Sequence, residues 1–326
     1  MITPATGLVS VAPSLLLMWF FHARDRFREP PGVVWKTFLL GLLTIPPVVV
    51  LEGILTAARP DGTTGLETAL FDAFLAAAFV EETFKLLVLL LYPFRQPAFD
   101  ELMDGMVYGA VASLGFATLE NILYVFEGGM SVGITRALLS VPAHACWGAL
   151  LGYYTARGRI AGRPLRGALS GLSAAIFLHG LYDFPIMYLV WMDETPGAAL
   201  SIPVTLAVAV AGWVWVLRVS RRIRRAQMES RPAGRSGSSL GVPPGRTGRP
   251  ASRAGAVLML FAGVILASLG ALIVLGIVIG FATGSVAHGN GPSVLVGGFV
   301  TGVLPLLIGI LLFHSGIRRL NHTVSG

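Results

Sequence analysis

Charge is what this chain has least of. Only 13% of its 326 residues are Asp, Glu, Lys or Arg, against 54% hydrophobic ones. A soluble domain carries about a quarter charged residues, so the scarcity excludes one and indicates a polytopic membrane protein. Lysine is nearly absent, with Lys36 and Lys85 the two instances. A single cysteine, Cys146, rules out an intrachain disulfide. The HExxH zinc motif is missing, and no tandem repeat is visible. The first apolar run has no basic residue before it, so no cleavable signal peptide is expected. The net charge of +7 does not speak for nucleic acid, because the 24 basic residues are scattered over loops between apolar runs. The bias toward Arg, Ala and Gly is that of a GC-rich bacterial genome.

What is present is a series of apolar runs. Nine are long enough to read as spans: 7–21, 34–56, 68–92, 105–126, 137–156, 167–190, 198–216, 254–283 and 293–315. The fold class is therefore an all-α polytopic membrane protein of about nine transmembrane helices. Pro46 and Pro47 should kink or break the second span. Of the basic residues, 21 fall on one side of this arrangement and two, Arg59 and Arg136, on the other. The positive-inside rule then puts the amino terminus outside and the carboxyl terminus in the cytoplasm of a bacterial cell membrane. Three regions follow: a seven-span body at 1–217, a basic Arg/Gly/Ser/Pro-rich linker at 218–253 expected to be disordered, and a two-span hairpin at 254–326. Glycines four apart, such as Gly105/Gly109 and Gly148/Gly152, permit close helix contact.

Spans three to six break the apolar pattern, and they are expected to form the functional core. Span three carries Glu81, Glu82 and Lys85. Span four has Phe116, Glu120 and Asn121; span five has His144; span six has His179 and Asp183. Each charged group costs about 2.5–3.5 kcal/mol at mid-span on the insertion scale, so mere anchoring does not explain them. Glu81 and Glu82 both lie within one helical turn of Lys85. One ammonium cannot neutralise two carboxylates, so further groups must join from neighbouring spans. Helical rise places all these side chains at overlapping depths, at or outside the bilayer midplane. Such a set can deprotonate water through a carboxylate, donate from His to an oxyanion, or hold zinc through Glu and His. The metal candidates are Glu120, His144 and His179. Glu52 and Asp72 are expected at the membrane interface, Asp104 at a helix amino end, and Cys146 as a small buried residue.

The three motifs occur in a recognisable order. Glu81-Glu82-Thr83-Phe84-Lys85 fits EExxK, Phe116 to Asn121 fits FxxxE-N, and His179 to Asp183 fits HxxxD. Together, over about residues 1–217, they resemble the PrsW family of intramembrane proteases, which is similar to the CAAX prenyl endopeptidase and bacteriocin-processing membrane proteases. Asp104-Gly105 and His144 with Gly148 also look like family positions. The resemblance implies hydrolysis of a peptide bond in or beside the membrane, in an anti-sigma factor or another membrane-anchored protein, with zinc or another divalent metal as a cofactor to test. It makes Glu81, Glu82, Glu120, His179 and Asp183 catalytic, with Lys85, Phe116, Asn121 and His144 in support. Glu81 is the expected base, since it pairs with Lys85 one turn on. The rival reading is a proton-coupled transporter, because intramembrane Glu, His and Asp also build proton relays; a membrane scaffold is a third.

Overall fold

The structure is a computed structural model. It describes residues 3–59, 62–191 and 201–229, and the single positions 308, 311, 312 and 315. The chain divides into two units, Met1–Gly234 and Arg235–Gly326. The hairpin at 254–326, apart from those four positions, and the linker beyond Glu229 lie outside the described residues.

The first unit is helical, with no strand among the described residues. Its helices are α1 (Pro4–Arg24), α2 (Pro31–Leu42), α3 (Ile45–Ala57), α4 (Gly65–Leu70), α5 (Val80–Leu91), α6 (Leu102–Leu138), α7 (Ser140–Ile160), α8 (Pro164–Trp191) and α9 (Ser201–Glu229). A π-helical stretch, Phe71–Phe79, joins α4 to α5. The Pro46-Pro47 pair behaves as its chemistry requires: the chain turns at Leu43–Thr44, and α3 restarts with prolines in its first turn, where no N–H is missed.

Five segments are long and apolar enough to cross a membrane: Pro4–Arg24, Pro31–Ala57, Leu102–Ile160, Pro164–Trp191 and Ser201–Glu229. Leu102–Ile160 has 59 residues, about 88 Å of straight helix. It is instead two antiparallel helices, since Gly105 meets Gly152 while Gly109 meets Gly148. At these pairs a Cβ would strike the facing backbone, so small residues set the separation of α6 and α7. This pair is the centre of the unit and is far more buried than the other four segments. Leu8, Leu16 and Trp19 on α1, Val50 and Ile54 on α3, and Phe177 and Val190 on α8 face outward, as lipid-facing positions do.

One stretch departs from expectation. Helix α9 continues to Glu229, so the first twelve residues of the segment expected to be disordered linker are helical. The cause is a polar seam. Ser220 and Gln227 are buried; Arg24 donates to Ser220 at 3.3 Å, and Gln227 donates to Asp25 and Glu101 at 3.1 and 2.8 Å.

Candidate active site

The π-helical stretch prepares the site. Its wider turn places Asp72, Ala76, Ala77 and Glu81 on one wall of a cavity of about 530 Å³. Such π geometry is uncommon and concentrates at functional sites. Helix α8 closes against the same stretch because Gly180 leaves room for the Phe74 ring. That contact delivers the neighbouring His179 to Glu82.

Glu81, Glu82 and Lys85 are buried, at 5%, 0% and 1% exposure. Lys85 Nζ donates to Glu81 Oε2 at 2.9 Å and to Glu82 Oε1 at 2.7 Å, and lies 3.0 Å from His144 Nδ1. His179 Nδ1 lies 2.9 Å from Glu82 Oε1, and its Nε2 lies 3.0 Å from Asp183 Oδ2. The two imidazoles meet edge to face at 5.2 Å. The Phe116 ring packs against His144 and sits 4.3 Å from Lys85 Nζ. The polar groups of α5, α6, α7 and α8 therefore converge. Each buried charge has an opposite partner, as a low-dielectric interior demands.

Several residues depart from their expected places. Asn121 is fully buried but turned away from the cluster; it donates to the Val9 and Ser10 carbonyls of α1 at 3.4 and 3.2 Å. Its work is helix packing. Glu52, expected at the interface, lines the cavity, and so does Asp72, which Arg59 holds at 2.8 Å. Two others sit as expected: Cys146 is buried and free, and Asp104 accepts the Asp100 and Glu101 N–H groups at the start of α6.

Arg136, expected in an outer loop, instead lines the cavity and reaches Glu120, a contact that sequence reasoning missed. Its Nη2 lies 2.6 Å from Glu120 Oε2, and its guanidinium stacks 3.9 Å above the Tyr124 ring. Sixteen residues of straight helix would separate Glu120 and Arg136 by about 24 Å. Gly129 removes that distance: its φ of 73° and ψ of −162° break α6, a conformation that costs glycine little. Gly128-Gly129 within an apolar run was the visible signal.

Glu120 bonds outward, to Arg136 and to His144 Nε2 at 2.9 Å. The set whose ligand atoms all lie within 4.8 Å of one another is instead Glu81, Glu82, His144 and His179. Both expected histidines are in this set, and Glu120 is not. Two imidazoles and buried carboxylates are a donor set that suits zinc, so the residues fit a divalent metal.

A buried Glu/His cluster that opens on a membrane cavity is the equipment of an intramembrane hydrolase. The model of the PrsW family intramembrane metalloprotease matches residues 29–216; the chain belongs to this family. It is 37% identical to the Protease PrsW of Geobacillus kaustophilus over 179 residues, covering 54% of this chain and 77% of the relative. It is 36% identical to the Protease PrsW of Bacillus subtilis over 53% of this chain and 79% of the relative. The Clostridioides difficile Protease PrsW is 31% identical over 55% and 78%. No solved structure matches the chain. The transporter reading finds no support among these relatives.

Proposed function

We propose that this protein hydrolyses a peptide bond of a membrane-anchored protein, with Glu81 as general base. The observation that carries the assignment is the difference between the two adjacent glutamates. Glu81 lines the cavity, whereas Glu82 does not and is held between Lys85 and His179. Glu81 takes a proton from water as the hydroxide adds to the scissile carbonyl carbon. With no metal bound, the resulting oxyanion is stabilised by donors of the cluster, His144 and His179 both lying within 4.0 Å of Glu81 Oε2. Glu81 then returns the proton to the departing amine as the C–N bond breaks. Asp183 and Glu82 flank the His179 ring and fix its orientation. Glu82, His144 and His179 would hold a divalent metal, two histidines and one carboxylate being a common catalytic zinc set. When bound, such an ion supplies a Lewis acid beside the carbonyl.

The same reading extends to the cell. The substrate is an anti-sigma factor or another membrane-anchored protein, the amino terminus lies outside and the carboxyl terminus in the cytoplasm, and nine spans cross the membrane. The 1–217 body acts without the two-span appendix. The deciding test is Glu81→Gln, which preserves size and removes basicity. Membranes from cells carrying the wild-type protein should contain a truncated product that cells carrying Glu81→Gln lack. A normally melting Glu81→Gln protein that cleaves at the wild-type rate would sink the assignment.

A further inference from the structure

The proposed hydrolysis gives Lys85 no step, yet Lys85 sits at the centre of the cluster. We propose that Lys85 is a built-in cation that holds the metal position, so that its ammonium and a divalent metal are mutually exclusive occupants. This rests on reading the cluster as the hydrolytic centre.

The argument is one of lone pairs. An ammonium has three N–H donors and no acceptor. Lys85 Nζ has three partners, Glu81 Oε2, Glu82 Oε1 and His144 Nδ1, at 2.9, 2.7 and 3.0 Å. All three protons are therefore committed, and His144 Nδ1 must accept. Its ring proton then sits on Nε2, which lies 2.9 Å from Glu120 Oε2. Glu82 and His144 are also two of the residues that would hold a metal. Lys85 now uses the Glu82 Oε1 and His144 Nδ1 lone pairs on these faces, leaving Glu82 Oε2 unpartnered, and a divalent ion beside a buried ammonium would meet direct charge repulsion.

The arrangement also has a purpose. Two adjacent buried carboxylates without a cation would repel each other and oppose folding. Lys85 supplies that cation, so the bundle can assemble before any metal arrives. Its flexible stem lets the ammonium leave, and the Phe116 ring, already 4.3 Å from Nζ, offers a cation–π seat beside the cluster.

The test uses the full chain, purified in detergent, stripped with chelator and titrated with zinc against a chromophoric competitor. Lys85→Met should bind one zinc per chain at least tenfold more tightly than wild type. Adding His179→Ala to Lys85→Met should remove that site. A second measurement reads the wild-type protein directly and does not need the variant to fold. The chain has two lysines, Lys36 and Lys85, so 15N-lysine labelling yields two side-chain amine signals. Saturating zinc should move the Lys85 signal and leave that of Lys36. Equal affinities, a weaker site in Lys85→Met, stoichiometric zinc with an unmoved Lys85 signal, or no zinc uptake by any form would each overturn the proposal. Substrate cleavage by a protein that takes up no zinc would overturn this inference and leave the proteolytic reading standing.

Discussion

Two groups of buried carboxylates sit at different levels of α6, one at Asp104 and one at Glu120, about 24 Å apart along the helix. The first joins Asp104 to Asp25 and Glu29, whose oxygens approach within 4.8 Å. Its partners are neutral: Tyr108 donates to Glu29, and the Phe27 N–H and Gln227 donate to Asp25. Burial, with the Asp104 charge adding to it, pushes the Glu29 carboxyl up to about 9. The second group brings its own cations, Lys85 and Arg136, and two histidines. The difference teaches what makes buried acids chemically useful. Glu29, left among neutral donors beside Asp104, keeps its proton at neutral pH, and its group locks the first loop to α6 and α9. The acids of the second group are each paired with a cation or an imidazole, and Glu81 among them lines the cavity.

The largest way to break the comparison is at the histidine. His179→Ala should lower cleavage of a membrane-anchored substrate roughly 10²–10³-fold, the usual cost of an oxyanion donor, with the melting temperature as the control for folding. Glu29→Gln should leave that rate within about twofold. Next comes the loss of a cation. Arg136→Met leaves the mostly buried Glu120 with His144 as its remaining partner and should cost up to about 3 kcal/mol in unfolding experiments, the low end for breaking a buried pair. The double variant Arg136→Met with Glu120→Gln should recover part of it, because the uncompensated charge is gone.

The lock predicts a pH dependence of definite sign. The folded Glu29 carboxyl lies above its ordinary value of 4.5, so folding takes up a proton between the two values. Its contribution is complete below pH 4.5 and is lost as pH rises through about 9. Melting temperatures of wild type should fall over that window, and Glu29→Gln should flatten the slope. The smallest effect is at Asn121. Asn121→Ala removes two bonds to α1 and should cost about 1 kcal/mol, with the cleavage rate unchanged. A large loss of rate in a stable Asn121→Ala protein would return this residue to the site.

Much of this was legible residue by residue. A bilayer accepts few backbone solutions, so each apolar run within the described residues declared a helix before its neighbours were known. Most of the site's charges declared themselves by their cost, Arg136 and Glu52 being the exceptions: Glu81, Glu82, Lys85, His144, His179 and Asp183 stood out, and the structure gathers them in one place. The wrong expectations concern direction. Asn121 follows Glu120 immediately, yet one step along a helix turns the side chain by about 100°, enough to send it to α1. Glu52 sits near a span end, yet it lines the cavity. The basic start of the expected linker could not show that Ser220 and Gln227 would find buried partners in the first loop and α6.

The sequence by itself determined the helices, the small residues that let α6 and α7 approach, and the inventory of polar groups placed in lipid. Those follow from local chemistry: hydropathy, side-chain volume and the cost of a charge in hydrocarbon. Only the tertiary structure decided the pairings. It took the break at Gly129 to carry Arg136 back to Glu120 and the π-helical turn to aim Glu81 at the cavity. It took the contact of Phe74 with Gly180 to bring His179 against Glu82. Side-chain partners depend on helix rotation, kink and separation together, and no single residue's chemistry specifies those.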